Sequence, residues 1–442
     1  MQLIARTLEG IAKAHLHSFD PIELTICAKK YQQQLAAIAA AEPLSERQRS
    51  LAGAYFDSGA CRLTALVLAL KGRSVACGKI LAQDMYAQIP YLSPYQDCGE
   101  ALRVRFKRKL DAAAGSPSSS EMPIGYAANA NVQLIASPQD IADDYRTICQ
   151  FGLIRRAQQM MARSVLSVAV SDDGIDYAVA GRGHRAAIGR VETILRAGEH
   201  PWVVVGDIRN CFGSVKQKYM HMILPLKRKV IEHVLFNHEV APIEVWDRPT
   251  CITHENAKRK AREGIPQGSL VSPLVARILL GPDLKAAALG GEIVCHADDF
   301  LVFARSENES HAIVDALTER FKQHPSGPFA FKHLDVKSVE DWFAFLGSRM
   351  RCVSTPSGRA IEIAPTNKSF HRFADKLMGK IADGWSLPDI ERYIIRWASL
   401  WDWSKVDEDG RCLFEAAAIQ AAQGAGIALE DAVLKAARSL TG

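Results

Sequence analysis

The ten cysteines contain no CxxC pair and no Cys/His cluster at zinc spacing. Spread singly along the chain, they speak against a disulfide framework or a structural zinc site and suit reduced thiols packed in cores. Long apolar runs are missing too. The longest, Leu63 to Leu70, is far too short to cross a bilayer. No apolar segment stands behind Arg6 and Glu9, so no secretion signal is expected, and the expected setting is cytoplasmic with no membrane partner. There is no internal repeat, and no low-complexity tract beyond the short Gly/Ser/Pro stretch Gly115 to Ser120, which reads as a linker or long loop. Neither sign of charge dominates, with 54 Lys and Arg against 49 Asp and Glu for a net +5. What is present is a 442-residue chain, 48% hydrophobic and 23% charged. That balance excludes wholesale disorder and gives room for about three domains or one multi-lobed enzyme.

The distribution of charge says more than its sum. Basic residues bunch at Arg103, Arg105, Lys107, Arg108 and Lys109, at Lys227 to Lys229, and at Lys258, Arg259, Lys260 and Arg262. One such run is ordinarily a solvated face. Three in a nearly neutral chain point to a polyanion, because phosphate contacts need local rather than net positive charge.

Residues 1 to about 110 read as helical, with apolar positions at three- and four-residue spacing through Leu24 to Ile38 and punctuation at Pro43 and Ser45. Helical patterning returns at Ile154 to Leu166. Gly181-Arg182-Gly183 opens a further helix with Ile188, Val191 and Leu195 on its apolar face. From residue 202 the pattern changes. Trp202 to Val205 suits a buried strand, and Ile293 to Cys295 with Phe300 to Phe303 read as a hairpin tipped by carboxylates. Helices over about 269–280 and 307–322 alternate with these strands. The region is therefore α+β, with a small sheet covered by helices on one face. The tail from about residue 361 reads as helical.

Three features of this middle region need a chemical account. One is Val203-Val204-Val205-Gly206-Asp207-Ile208-Arg209-Asn210-Cys211-Phe212, an apolar strand that ends in a carboxylate. Another is Cys295-His296-Ala297-Asp298-Asp299-Phe300, with adjacent acids in an apolar hairpin. Two like charges a few ångströms apart repel by about 4 kcal/mol at an effective dielectric of 20, so the pair is unfavourable there without a cation. Magnesium relieves such repulsion, because it takes carboxylate and phosphate oxygens together. Taken alone, an Asp-Asp turn is ordinarily just solvated. The third feature reverses that weighting: Gly264-Ile265-Pro266-Gln267-Gly268-Ser269-Leu270-Val271-Ser272-Pro273 is a rigid loop with few side chains that opens an apolar helix. Pro266 and Gly268 fix a backbone that a base and sugar can approach, and Gln267 can bond an incoming nucleotide or the template.

Asp207, this loop and Asp298-Asp299, in that order and tens of residues apart, resemble the palm motifs of reverse transcriptases over roughly residues 150 to 400. Phe345-Leu346-Gly347 resembles the primer grip that follows the palm. Tyr177 to Ile188 is similar to the glycine- and arginine-bearing stretch that group II intron enzymes carry ahead of it. His296 stands where the family usually has an aromatic, and Gly213 where group II enzymes often have an acid or amide. The resemblance implies α+β architecture of the right-hand polymerase type: a ferredoxin-like palm, fingers, a helical thumb and an α-helical amino-terminal extension. The expected divisions are 1–112 for the amino-terminal domain, 113–360 for fingers and palm, and 361–442 for the thumb and final helices. It further implies two Mg2+ ions, with Mn2+ as substitute, held by Asp207, Ile208, Asp298 and Asp299, the three acids being catalytic. Ile208, Phe212, Gln267, Gly268 and Lys337 would meet the nucleotide, Phe212 as the gate against a ribose 2′-hydroxyl and Lys337, with Lys332 close by, as proton donor to pyrophosphate. Arg155, Arg156 and Arg182 are candidates for gripping the triphosphate.

Lys368, Arg372, Lys376 and Lys380 recur every four residues opposite Phe370, Phe373, Leu377 and Ile381, as in an amphipathic helix. By resemblance this is a thumb helix whose cations follow the phosphates of a template–primer duplex. Arg182, Lys258, Arg259, Lys260, Leu346 and Gly347 complete the expected nucleic-acid track. Trp397, Trp401 and Trp403 read as core. No HNH endonuclease, zinc set or RNase H carboxylate cluster follows the thumb. That profile resembles bacterial defence-associated and abortive-infection reverse transcriptases. The implied activity is RNA-directed DNA synthesis from dNTPs on a cognate non-coding RNA, in antiviral defence, with the amino-terminal helices available for self-assembly or a protein partner. Untemplated or protein-primed synthesis, and a non-enzymatic maturase-like RNA scaffold, are the rival readings.

Overall fold

The computed structural model describes residues 21–69, 103–108, 145–170, 174–178, 182–236, 244–246, 253–355, 358–366 and 384–398, with 369, 373, 376 and 380 between the last two stretches. Three helices come first: α1 (Pro21–Ala40), α2 (Glu46–Asp57) and α3 (Gly59–Ala69). Ser45 starts α2 by accepting the Gln48 N–H at 3.1 Å, a cap worth about 1 kcal/mol. The buried Gln48 side chain then donates to the carbonyls of Ile38 (3.3 Å) and Ala169 (3.4 Å). It thereby ties α1 to the end of α4 (Leu153–Ala169). Tyr31, Ile38, Tyr55 and Phe56 share one core with Met161 and Val165 of α4 and with the central sheet. The amino-terminal helices are thus packed into the body of the protein. The linker stretch 115–120 and the division after residue 112 lie outside the described residues.

The helical reading of residues 1 to 110 fails at its end. Arg103–Arg108 is a strand, β1, paired antiparallel to β2 (Tyr145–Gln150) and parallel to β4 (Glu244–Trp246). The alternation Arg103-Val104-Arg105-Phe106-Lys107 has the two-residue period of a strand, which a basic run conceals.

The central sheet is β5 (Glu292–His296), β6 (Asp299–Ala304), β3 (Trp202–Ile208) and β7 (Phe331–Ser338), in that spatial order and antiparallel throughout. Its pleat sorts side chains to two faces. Val204, Phe300 and Val302 pack with α7 (Ser272–Ala287) and α8 (Glu307–Gln323) through Val275, Leu279, Ile313, Leu317 and Phe321. Val203, Val205, Val294, Leu301 and Phe303 pack on the other side. Their partners are Val191, Ile194 and Leu195 of α5 (His184–Ala197), and Phe343, Met350 and Cys352 of a second sheet. That sheet has the order β10-β9-β8, from Gly358–Pro365, Ser348–Thr355 and Phe343–Phe345. The central sheet is therefore covered on both faces, not by helices on one. An uninterrupted Val203-Val204-Val205 run requires this, since each valine contributes about 1.5–3 kcal/mol only if its own face is dry. The tail is not helical from 361: β10 continues to Pro365, so a division after residue 360 cuts a strand, and the described helix there is α9 (Leu387–Ala398). α7 begins at Ser272 rather than 269 because Pro273 suits a helix's first turn. α6 (His254–Ala261) is capped by Thr253.

Candidate active site

β3 ends at the carboxylates. Asp207 pairs directly across the ladder with Asp299 of β6, Asp299 pairs with His296 of β5, and Asp207 pairs on its other side with His333 of β7. Directly opposed residues in antiparallel strands have Cβ atoms about 4.5–5.5 Å apart, so Asp207 and Asp299 share one face at the end of the sheet. Between His296 and Asp299 lies a two-residue turn, Ala297-Asp298, in which Ala297 has φ 62°. An L-residue there costs roughly 1–2 kcal/mol, strain of the kind that collects at functional sites. The Asp298 carbonyl accepts the Ile208 N–H at 3.4 Å, which folds the turn over the end of β3. Burial, and after it the charges of Asp298 and Asp207, push the Cys211 thiol well above its ordinary value. Both carboxylates therefore act on the same buried point. The ε-ammonium of Lys332 lies 3.8 Å from Asp207 Oδ2.

Gly206 makes the close spacing feasible. A Cβ there would fall 2.1 Å from the Phe300 ring, so only glycine lets the ring lie across β3 at this point. Ile208 turns its side chain into the core, and any ligand it offers is its backbone carbonyl. Phe212, half buried, packs against the same core. Its carbonyl accepts the Ile265 N–H at 2.9 Å, and it lies so close to Gly264 (φ 59°) that a Cβ there would come within 2.0 Å. The loop after Gly264 is thereby clipped to the segment after Asp207.

Gly268 (φ 103°) approaches protein rather than open space: a Cβ there would sit 2.3 Å from the Cys149 carbonyl, while Cys149 N–H donates to Gln267 O at 2.8 Å. The side-chain-poor loop is thus first of all a joint to β2. Gln267 lines a small open cleft with Thr147, Asn210, Gly213, Lys260 and Pro266.

The remaining sequence candidates are dispersed. Lys337 is opposite Val203 and donates to the Trp342 carbonyl at 3.1 Å. It stands four residues along β7 from His333, roughly 13 Å from the acid end. Lys332, not Lys337, is the lysine beside the carboxylates. Arg155 is buried in α4 and donates to the His233 carbonyl, so it does not present itself to a triphosphate. Arg182 is exposed; it donates to the Asp176 carbonyl at 3.1 Å and lies over the Tyr177 ring. Arg259 pairs with Glu263 at 2.7 Å, Lys260 reaches the cleft, and Lys258 belongs to α6. Leu346 (φ 51°) and Gly347 (φ 80°) form the tight turn between β8 and β9. Its carbonyls bond His184 Nε2 at 2.6 Å and Ser369 Oγ at 2.7 Å. Lys376 is exposed, and Lys380 Nζ lies 3.3 Å above the Trp385 ring centre. Trp397 stacks on the buried Phe373 at 4.1 Å, as core. Lys368, Arg372, Trp401 and Trp403 lie outside the described residues.

One residue of the site escaped sequence reasoning. Asp176 is almost fully buried beside the acid hairpin and accepts the N–H of Ala178 (2.8 Å) and of Ala297 (3.4 Å). Burial pushes its carboxyl up, partly offset by those two N–H groups and by Arg277 and His296. Burial likewise pushes the His296 imidazole down, against the pull of Asp176. Nothing in the local sequence marks Asp176, because its partner is 121 residues away.

Among the described residues no three His, Cys, Asp or Glu side chains gather as a ready-made metal cage. The donor set still suits magnesium, which typically takes one or two carboxylates and completes its shell with substrate phosphates and water. Among the same residues no helix is long and apolar enough to cross a membrane.

Residues 136–326 match the family model described as reverse transcriptase (RNA-dependent DNA polymerase). No curated protein matches the chain. The matched span, somewhat under half the sequence, contains all three acids and the Gly264–Pro273 loop. The match indicates an RNA-directed DNA polymerase, a nucleotidyltransferase, within residues 136–326, and implies a right-hand polymerase fold, RNA template and dNTP substrates. The mixed helices and sheets agree with α+β architecture, and enzymes of this kind generally use divalent metals such as Mg2+.

Proposed function

We propose that the sheet β5-β6-β3-β7 is the palm of this polymerase. In this reading Asp207, Asp298 and the Ile208 carbonyl, supported by Asp299, hold two magnesium ions at its end. The observation that carries the reading is the direct pairing of Asp207 with Asp299 across β3 and β6, with Asp298 at the adjoining tip. Such ions, when bound, would supply activation of the primer 3′-hydroxyl and charge stabilisation of the departing pyrophosphate. The chain's own residues orient and select. Phe212, its carbonyl held against Ile265 and Gly264, would by the resemblance be the gate against a ribose 2′-hydroxyl and so favour deoxynucleotides. Gln267 and Lys260 meet the incoming nucleotide or the template strand from their shared cleft, and Gly268 secures that loop to β2. Lys332 is the lysine suited to the leaving group, by its position at Asp207. The Leu346-Gly347 turn grips the primer. Arg182, Lys258, Arg259 and Lys376, with Lys368 and Arg372 by the sequence pattern alone, follow the phosphate backbone.

The sharing of one core between α1–α3 and the sheet favours a role for these helices as a brace for the fingers and palm. It leaves their outer faces for assembly. A setting in bacterial antiviral defence, in the cytoplasm and with a cognate non-coding RNA, is proposed from the resemblance of the palm motifs and their helical amino-terminal extension to defence-associated reverse transcriptases. The test is primer extension: full-length protein with Mg2+, dNTPs and a primed RNA yields labelled DNA copied from the template, and Asp298→Ala yields none. Absence of product from the wild type, or equal product from the variant, overturns the reading. Sequencing the RNA and DNA that co-purify from cells identifies the template.

A further inference from the structure

Asp176 belongs to none of the polymerase motifs, yet it is 1% exposed and adjoins the acid hairpin. A buried carboxylate persists only where its oxygens are bonded. Here one oxygen, Oδ1, accepts two backbone N–H groups, that of Ala178 at 2.8 Å and that of Ala297 at 3.4 Å. The backbone around it is tied to the same hairpin. Residue 176 forms a parallel bridge to Cys295, with Tyr177 N–H donating to Cys295 O at 2.7 Å and Cys295 N–H to Ile175 O at 2.8 Å. Arg182 closes the segment from the other side through the Asp176 carbonyl. Of these contacts, the one from Asp176 Oδ1 reaches the amide of Ala297 in the hairpin's turn. That residue opens the two-residue turn with φ 62°, where such turns ordinarily carry glycine, and the next residue is Asp298.

We infer that Asp176 is a positioning residue for nucleotidyl transfer: by holding the Ala297 amide it fixes the strained turn that carries Asp298 to the end of β3. The inference rests on the reading of Asp298 as a metal ligand. Its tether can nonetheless be measured apart from activity. Asp176→Ala removes the acceptor. In primer extension over a magnesium series it lowers kcat roughly 10–100-fold and raises the magnesium concentration for half-activity, with the KM for dNTP within about twofold of wild type. Hydrogen exchange at the Ala297 amide quickens. Asp176→Asn keeps Oδ1 as an acceptor and restores all of these to within about threefold of wild type. Should the alanine variant not fold, Asp176→Thr serves, being polar and suited to extended backbone but too short to reach Ala297.

An unchanged magnesium requirement in Asp176→Ala, an asparagine variant as impaired as alanine, or unaltered exchange at Ala297 overturns the inference. A wild type without polymerase activity overturns the reading of the site instead, and exchange at Ala297 still reports whether the tether exists.

Discussion

Within the same four strands, the middle of the central sheet and its acid end obey different rules. Val203, Val204, Leu301, Val302 and Phe303 are fully buried, sorted alternately to two dry faces. A few residues along, Asp207, Asp298 and Asp299 are half-exposed, two of them directly opposed, and the turn that carries one has a left-handed alanine. The middle is a volume problem, solved by apolar burial worth about 25 cal/mol per Å2. The end is a charge and geometry problem, in which repulsion and strain are tolerated because the rest of the sheet holds the groups in place. Substitutions in the middle should therefore act on stability, and substitutions at the end on activity.

The widest expected separation is at the acids. Asp207→Ala or Asp298→Ala should reduce primer extension by about 10⁴-fold. The thermal midpoint should be unchanged or raised, because a like-charge repulsion is relieved; a fall of several degrees would place these acids in the structural class. The converse is Phe303→Ala. It should cost about 3–5 kcal/mol in denaturant unfolding while leaving kcat per folded molecule near wild type. Gly206→Ala lies at the border between the two regions: its Cβ would meet the Phe300 ring, so about 1–3 kcal/mol should be lost, and Phe300→Leu in the same chain should return part of it.

Ala297→Gly sharpens the contrast, since it should stabilise the fold by up to about 1 kcal/mol while slowing synthesis several-fold by loosening the turn. The smallest effect is on the pH dependence of folding. Because burial raises the Asp176 carboxyl, the folded wild type holds that proton to higher pH than the unfolded chain. Its stability relative to Asp176→Asn should therefore be greatest in acid. It should decline as pH rises from about 3.9 through the raised folded value, then level off. A gap that widens in the wild type's favour with rising pH would reverse the sign.

Local pattern made the sheet's middle and the order of its acids legible. Three consecutive β-branched residues announce a buried strand, and Asp207 at its end was visible as a misfit. The cover was misread as helices on one face, because what supplies the second face, β8 to β10 and α5, depends on pairings distant in sequence. Lys337 was preferred to Lys332 because the register was hidden, and the shift in the β3–β7 pairing between Asp207 and Ile208 of β3 is a tertiary feature. Gly268 was legible as a position needing freedom, while its partner, the Cys149 carbonyl, was not. Asp176 was silent, because a lone aspartate in a glycine-flanked loop reads as solvated until the bridge to Cys295 buries it.

The most direct test of the two acids acting as one unit is a double-mutant cycle on single-turnover dNTP incorporation, using Asp207→Ala, Asp298→Ala and the pair together. If both serve the same metal ions, the double variant should be about as slow as the worse single variant. Losses that multiply, or a single variant that retains near-full rate, would contradict it.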